Sequence, residues 1–380
     1  MAGTDYTALR TTVRFGDGDT TPRAVTLPVT PNLVGGQFGR TVVLALSEPG
    51  DCATLGGPAS TIVTLVDADP VPTGLARDPS FGTRGQAMLE GFGGSRSGMA
   101  LQADGKVVMA GGTFTDFILA RFAADGSIDR GFGFLGDGTV TTDMGSGFIS
   151  EEATAVAVQA DGGIVVARYT AIDNAPPNPD RPPTFALARY TAAGRLDTSF
   201  GRQGRVSANV NGRAYAIAIQ PDGRIVVAGE FSFESTNASD LGDFTVARFK
   251  ADGNLDPTFG TDATGQIARD LGATNSARNI VLQPDGKIVI SGKPQGDQPG
   301  FDHTDVARFN PDGSYDPTFG TGGRLKLAAL DVGAGLALQP DGKLVLVGTR
   351  MQPNAPVFSR FVLMRLNADG TPDASFGTGG

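Results

Sequence analysis

One ten-residue segment occurs five times in this chain, and this repetition limits the fold more than any other feature of the sequence. Its clearest copy runs from Gln283 to Gly292 (QPDGKIVISG), and the turn aspartates of successive copies lie 56 to 63 residues apart. A repeat of this length indicates one supersecondary unit that stacks on its neighbours to bury a continuous core. The other four copies begin at Gln102, Gln159, Gln220 and Gln339.

Each copy predicts a tight β-hairpin. Pro284 has a backbone φ that suits the second position of a turn, Asp285 can bond to the local backbone, and Gly286 accepts the positive φ that ends such a turn. An apolar, β-branched run follows the turn, and a similar run, residues 277–283, precedes it. The two runs therefore predict a pair of antiparallel strands.

A second motif, Asp-x-x-Phe-Gly, separates the units, and we call it the opener. Between consecutive openers lie four strand candidates, most plainly residues 266–271, 277–283, 287–292 and 305–310. Four antiparallel strands per unit, repeated radially, are typical of a β-propeller blade. The sequence thus predicts an all-β fold, with a five-bladed β-propeller of four-stranded antiparallel blades over residues 75–380. The six openers begin at Asp78, Asp129, Asp197, Asp256, Asp316 and Asp373.

These units resemble the delta-60 repeat, a propeller repeat typical of large secreted or surface proteins of bacteria. The resemblance is carried by the Leu-Gln-Pro-Asp-Gly-Lys-Ile-Val run that starts at Leu282, by Ala-Arg-Phe before an Asp-Gly turn, and by the Asp-Pro-Thr-Phe-Gly openers. It implies a propeller in an extracellular or cell-surface setting, and it carries no established activity.

Residues 1–69 predict a β-sandwich, because short alternating strands are separated by polar turns. Gly3 to Tyr6, the strand from Ala24 to Val29, the run from Val42 to Pro49 and the closing run from Ile62 to Asp69 resemble the later part of the Calx-β domain. That domain is a calcium-associated sandwich of sodium–calcium exchangers and bacterial surface proteins. The resemblance implies a partial β-sandwich, and residues 70–74 (PVPTG) predict a stiff linker between it and the repeats.

Calcium is the one cofactor that the sequence suggests. The ion takes about six to eight oxygen ligands, most of them carboxylates from several loops. By the Calx-β resemblance, Asp5, Asp67 and Asp69 match acidic positions that bind calcium in other members. Residues 30–39 carry no carboxylate where that family often has an acidic loop, so the alternative is that the three aspartates are ordinary loop or strand-end residues.

Composition excludes several classes of function. A net charge of −9 and a pI near 4.7 argue against a nucleic-acid partner, whose phosphates require a basic surface. Cys52 is the only cysteine, which excludes an intramolecular disulfide and a cysteine-rich zinc site. Residues 1–20 lack the basic start and apolar core of a signal peptide, and no apolar run approaches the roughly 18 residues of a membrane span. We therefore expect neither feature in this chain.

Arginine and aspartate recur at fixed places in the repeats. A residue type shared by all blades usually serves their closing and stacking, so we expect an Arg–Asp ion pair or an Arg–carbonyl contact within or between blades. The opener phenylalanine should pack between sheets. The alternative is a ring of charge that lines the central channel. The residues concerned are Arg121, Arg189, Arg248, Arg308 and Arg365, with Asp78, Asp129, Asp197, Asp256 and Asp316.

The sequence predicts no catalytic residue. His303 is the only histidine, which rules out a multi-histidine metal site, and its loop position favours a solvated side chain. The connections after the third strand of each unit differ in length, and variable loops on a rigid scaffold are where binding usually resides. These loops are either a binding face or functionless insertions. The candidate contacts on that face are Phe231, Phe233, Phe301, His303 and Phe358.

Two functions follow from these patterns. The first is a non-enzymatic bacterial surface or extracellular scaffold for adhesion or interaction, with a protein or a polysaccharide as its ligand. The alternative is a carbohydrate-active hydrolase or lyase with its site at the propeller mouth. A pair of carboxylates in the central channel, away from the turns, would favour the enzyme.

Overall fold

The structure, a computed structural model, describes residues 40–45, 60–65, 78–83, 85–89, 93–112, 116–143, 153–170, 183–232, 241–260, 262–269, 275–294, 303–328, 330, 332–351, 359–377 and 379–380. These residues form strands and turns without a helix. In the described ranges there is accordingly no helix with the length and hydropathy needed to cross a membrane. The chain divides into two compact units, Met1–Ala76 and Arg77–Gly380.

The described part of the first unit is one antiparallel strand pair. β1 (Arg40–Ala45) and β2 (Ser60–Leu65) pair along their whole length. Both coincide with predicted strands, since their β-branched residues suit a pleated sheet. The other strands predicted in residues 1–69, on which the Calx-β resemblance also depends, and the linker at 70–74 lie outside the described residues.

The second unit contains five antiparallel sheets, each built from strands consecutive in the chain, which confirms the predicted five-bladed all-β architecture. Four blades have four strands, and the described residues of blade five form three. Blade one contains β3 (Gly93–Leu101), β4 (Val107–Gly112), β5 (Phe117–Phe122) and β6 (Thr139–Thr142). Blade two contains β7 (Ala155–Val158), β8 (Ile164–Thr170), β9 (Thr184–Tyr190) and β10 (Arg205–Asn211). Blade three contains β11 (Arg213–Ile219), β12 (Ile225–Ser232), β13 (Leu241–Phe249) and β14 (Gln266–Arg269). Blade four contains β15 (Asn275–Leu282), β16 (Ile288–Pro294), β17 (Thr304–Phe309) and β18 (Arg324–Leu327). Blade five contains β19 (Val332–Leu338), β20 (Leu344–Met351) and β21 (Ser359–Leu366).

The predicted division of the repeats at the openers is wrong by one strand. The run that starts at Gln266 follows the opener of Asp256, and the sequence assigns it to the next unit. In the structure this run is β14, which pairs with β13 of blade three through Val246 opposite Ile267. The opener reverses the chain tightly enough for the strand after it to pair with the strand before it. Openers two to five therefore lie inside blades, between the third and fourth strands.

The repeated hairpins have the predicted turn. The amide of Gln283 donates to the carbonyl of Lys287, and the amide of Gly286 donates to the carbonyl of Gln283 at 2.9 Å. Asp285 accepts from the amide of Lys287, and Gly286 has φ of 83°. The positive φ is the reason that glycine stands at this position.

The core lies between successive sheets. Between blades two and three, Val165 and Phe185 pack against Ile225 and Phe249 from the facing sheet, and all four are fully buried. The first strand of each blade adjoins the first strand of the next, from β3 to β19. Among the described residues, the buried apolar faces therefore lie between blades that are consecutive in the chain.

Candidate functional site

Each repeated arginine is fixed within its own blade by the opener that follows it. The arginine lies on the third strand, and the opener aspartate comes eight residues later. In all five cases the two side chains form an ion pair, with nitrogen to oxygen distances of 2.7 to 2.8 Å. The guanidinium also covers the opener phenylalanine ring, with its carbon 4.5 to 4.8 Å from the ring centroid.

The same arginine joins its blade to the next one. Nη1 of Arg189 donates to the carbonyl of Ala251, in the blade-three turn between strand three and the opener, at 2.6 Å. In the same way, Arg121, Arg248 and Arg308 donate to the carbonyls of Ala192, Pro311 and Ala368. The guanidinium groups of Arg121, Arg248 and Arg308 are thus held between blades, and these residues are at most 7% exposed.

The opener phenylalanine and glycine complete this inter-blade contact. Phe132, Phe200, Phe259 and Phe319 are fully buried. Each ring lies against the turn glycine of the following blade: a Cβ built on Gly253 would lie 3.0 Å from the ring of Phe200. The opener glycine donates its amide to a carbonyl of the same turn, as Gly201 does to Asp252 at 2.8 Å. We call the arginine, phenylalanine and glycine together with the turn that receives them the blade lock.

The opener carboxylates that pair with the repeated arginines have pKa values below the ordinary value of an aspartate. Burial alone would raise the pKa of Asp316, but hydrogen bonds from Thr318 and the charge of Arg308 lower it to about 2. The pKa of Asp256 is also below its ordinary value, because its bonds from Thr258 and the charges of Arg248 and Arg224 outweigh burial. Asp78 accepts from the amide and hydroxyl of Ser80, as Asp197 does from Ser199, but no described arginine pairs with it.

A cavity of about 840 Å³ opens where the hairpin turns of blades one, two and three meet. Gln102, Gln159 and Gln220 line it, one from each blade, and all three are more than nine-tenths buried. The residues directly before them provide apolar surface, and Ala103 and Ala160 lie at the turns. The apolar residues are Leu101, Val158 and Ile219.

The charged groups around this cavity are already paired. Nζ of Lys106 lies 3.1 Å from Asp129 and 3.6 Å from Asp104. Arg121 bonds to Asp129 and to the carbonyl of Ala192. The cavity therefore offers neutral amides and apolar surface, and its charged lining side chains, Lys106, Arg121 and Asp104, are paired with one another or with the neighbouring Asp129.

The sequence interpretation did not find this cavity. The residue that could have indicated the cavity is the glutamine that begins every copy of the hairpin. Because this glutamine occurs in all five blades, its recurrence is explained by the structure of a blade and does not by itself indicate a binding site. What distinguishes the cavity is the small Ala103 and Ala160 at a turn position where the other blades have Pro221, Pro284 and Pro340. That difference indicates a cavity only once the structure shows that the three turns lie close together.

The predicted binding face is described only in part. Phe231 is half-buried on β12, whereas Phe233, Phe301 and Phe358 lie outside the described residues. The expectation of a solvated His303 is wrong. His303 directly precedes β17 and is 9% exposed. Its Nε2 lies 3.3 Å from Oδ2 of the buried Asp305. Burial raises the pKa of Asp305, and the nearby His303 opposes that shift.

The proposed metal ligands Asp5, Asp67 and Asp69 also lie outside the described residues. Within the described ranges, no group of three or more His, Cys, Asp or Glu side chains is placed to hold a metal ion. The first strands of the five blades, β3, β7, β11, β15 and β19, contain no Asp or Glu. These strands therefore supply no carboxylate pair.

The five stacked blades and the repeated blade lock define a β-propeller repeat protein. Five segments of the chain match the family described as "Domain of unknown function (DUF5122) beta-propeller", at residues 102–132, 159–200, 220–259, 283–319 and 339–376. Each segment runs from the glutamine of a hairpin to the opener of the same blade.

Solved structures with similar folds include three carbohydrate-active proteins at low identity. An alpha-L-arabinofuranosidase from Lactobacillus brevis is 12% identical with a TM-score of 0.44, over 74% of this chain and 93% of its own. An exo-beta-1,3-galactanase from Phanerochaete chrysosporium is 15% identical with a TM-score of 0.40, over 71% and 60%. The polysaccharide lyase Uly1 is 14% identical with a TM-score of 0.40, over 75% and 74%. No curated protein matches the sequence.

Proposed function

We propose that this chain is a non-enzymatic binding scaffold whose propeller takes a neutral segment of a polysaccharide into the cavity between the turns of blades one, two and three. The observation that carries the proposal is the lining of that cavity by Gln102, Gln159 and Gln220 next to apolar residues. The volume of about 840 Å³ lies in the range of ligand pockets, roughly 300 to 1,000 Å³.

The chemistry of the lining favours hydroxyl groups over ions. A carboxamide both donates and accepts hydrogen bonds, as a sugar hydroxyl does, and apolar surface suits the C–H face of a pyranose. Lys106 and Arg121 are paired with Asp129, so an anionic ligand would have to break existing ion pairs. A neutral ligand avoids that cost.

Binding without catalysis is supported by the distribution of carboxylates. Glycoside hydrolysis usually needs two carboxyl groups on either side of the bond that breaks. Asp104 is the only Asp or Glu among the residues that line the cavity, and it lies beside Lys106. The lining therefore offers one carboxylate for a role that needs two.

The proposed setting is the exterior of a bacterial cell, in an adhesion role. It is supported by the resemblance of the repeats to those of secreted and surface proteins. The Calx-β resemblance of residues 1–69 adds the proposal that Asp5, Asp67 and Asp69 bind calcium. Calorimetric titration with calcium tests this part independently, because micromolar binding supports it and the absence of heat contradicts it.

The test of the polysaccharide proposal is binding of the whole chain to a panel of neutral oligosaccharides, followed by calorimetry on those that bind. Ala103→Trp and Ala160→Trp place a large side chain at the cavity turns, where other blades carry proline. Pro340→Trp introduces the same tryptophan side chain on the exposed turn of blade five, which does not line the cavity.

We expect the two cavity variants to weaken binding at least about tenfold while Pro340→Trp binds as the parent does. Equal binding by all three variants would contradict the cavity site, and failure of every neutral oligosaccharide would contradict the ligand class. Release of shortened sugars in the same mixtures would support the hydrolase or lyase instead.

A further inference from the structure

The last blade of the stack presents an uncovered apolar face. Phe361, Leu363 and Val347 are 89%, 52% and 39% exposed. In blades one to three, the residue four positions before the repeated arginine is also a phenylalanine, at Phe117, Phe185 and Phe244. Those three are at most 2% exposed, because the next blade covers them. Blade five therefore has, at an exposed surface, the apolar residues that other blades bury against the next blade.

The first blade presents the opposite half of the same interface. Met99 and Leu101 on β3 are 72% and 71% exposed. The residue of blade two that corresponds to Met99 is Val156, which packs against blade one and is 8% exposed. Because both end faces are exposed, blades one and five do not cover each other within this chain.

The hydrogen bond that the repeated arginine makes to the next blade also has its donor at one end of the stack and its acceptor at the other. Arg365 bonds to Asp373 and Ser375 and covers Phe376, as its counterparts do. Among the described residues, however, no turn carbonyl accepts a bond from its Nη1. At the other end, no described arginine donates to the carbonyl of Ala124, which corresponds to Ala192 in the next blade.

The turn of blade one holds only a weak version of the lock. Gly82 donates its amide to Asp125, and Phe81 lies against Gly126. Among the described residues no arginine covers Phe81, and the position eight residues before Asp78, where the repeated arginine would lie, is Pro70. It is also only half-buried, unlike the four fully buried opener rings inside the stack. Another opener phenylalanine with its arginine could therefore replace Phe81 on the turn of blade one and make a stronger contact.

We propose that the exposed face of blade five docks onto blade one of a second copy of this chain. In that contact, Phe361 and Leu363 cover Met99 and Leu101 of the other copy, and Arg365 donates to the carbonyl of Ala124. Phe376 replaces Phe81 against Gly126, and residues 78–82 of the receiving copy move away. The partner is a second copy because the two exposed surfaces correspond to the two sides of the inter-blade interface, which occurs four times within the chain. A second copy therefore presents the surface that each exposed face lacks. The contact joins two different surfaces and so assembles copies head to tail.

Light scattering after size-exclusion chromatography over a range of concentrations gives the first test. We expect the mass to rise above that of one chain with concentration, and Phe361→Asp to move that rise to at least about tenfold higher concentration. Phe134→Asp is the matched control, because Phe134 is 87% exposed but follows Gly133, whose amide bonds to the carbonyl of Ala193 on the side of blade two. A mass that is unchanged at every concentration, or that responds equally to both variants, would overturn the proposal.

Disulfide trapping separates a second copy from closure within one chain. In a Cys52→Ser background, Phe361→Cys and Met99→Cys are made as separate proteins and mixed. A cross-linked species that contains one of each supports the proposal. A double variant that instead forms its disulfide within single chains, at the same concentration at which the mixture gives none, would show that blade five closes onto its own blade one and would refute it.

Discussion

At the scale of single residues, the repeated arginine holds this fold together. Arg248 is 5% exposed, pairs with Asp256, covers Phe259 and donates to the carbonyl of Pro311 in the next blade. A buried charge is tolerated only when it is paired and hydrogen-bonded. The arginine charge can therefore lie between two sheets, because the opener aspartate of the same blade neutralises it.

Replacement of Arg248 by alanine should strongly destabilise the propeller, since it leaves Asp256 buried without its main partner. We expect a loss of about 3 to 5 kcal/mol in the free energy of unfolding, measured by urea denaturation. Arg224→Ala is the control, because Arg224 also contacts Asp256, at 3.0 Å, but its side chain is 42% exposed. It should cost about 1 kcal/mol or less. Equal losses for the two variants would contradict a special role for the inter-blade arginine.

The turn glycines separate backbone strain from inter-blade packing. Gly253 has φ of 91°, and a Cβ there would lie 2.7 Å from Val206 and 3.0 Å from Phe200 of the preceding blade. Gly223 has φ of 84°, but its Cβ would meet only Ala251, at 3.6 Å. Gly223→Ala should therefore cost about 1 to 2 kcal/mol for the left-handed backbone alone. Gly253→Ala should cost about 1 to 3 kcal/mol more, from overpacking. Thermal denaturation of both variants measures the difference, which would vanish if the opener ring could move aside.

At the scale of elements, the sequence predicted hairpins well and blade boundaries poorly. The turn at Pro284 to Gly286 follows from local chemistry, because proline, aspartate and glycine each suit one turn position. Whether the strand after an opener pairs forward or backward depends on contacts between strands, which local patterns do not encode. For this reason β14 was assigned to the wrong blade while its existence was predicted correctly.

The opener gives each blade a dependence on pH. The pKa of Asp316 is lowered in the folded protein to about 2, from an ordinary value of 3.8. A lowered folded pKa means that the carboxylate stabilises the fold above pH about 4 and that this contribution is lost as the pH falls towards 2. Asp316→Asn should thus lower the denaturation midpoint at pH 6, by an amount that shrinks towards pH 2. Asp341→Asn, at a turn position with a 56% exposed side chain, should change it little at either pH. A constant difference between parent and Asp316→Asn across this range would contradict the assignment.

At the scale of the whole molecule, the second unit is a linear series of neighbour contacts. Four complete blade locks join five blades, and the described strands place each apolar core between two consecutive sheets. The repeat in the sequence predicts this stacking, since every blade carries the same arginine, phenylalanine and glycine. The cavity could not be predicted in the same way, because it depends on how three turns that are far apart in the sequence approach one another in space. Stability in such a series is a sum of blade and interface contributions.

This organisation predicts that the same substitution has different effects inside the stack and at its end. Phe259 and Phe376 both lie under an arginine, but only Phe259 is covered by the turn of a following blade, through Gly313. Phe259→Ala should cost about 3 to 5 kcal/mol, since it leaves a cavity in a closed interface. Phe376→Ala should cost much less in dilute solution. Hydrogen exchange followed by mass spectrometry locates the effect: faster exchange in β13 and β15, on the two sides of the opened interface, is expected for Phe259→Ala. Faster exchange spread evenly over all five blades would instead mean that the propeller unfolds as one cooperative unit, and would contradict the series of separate interfaces.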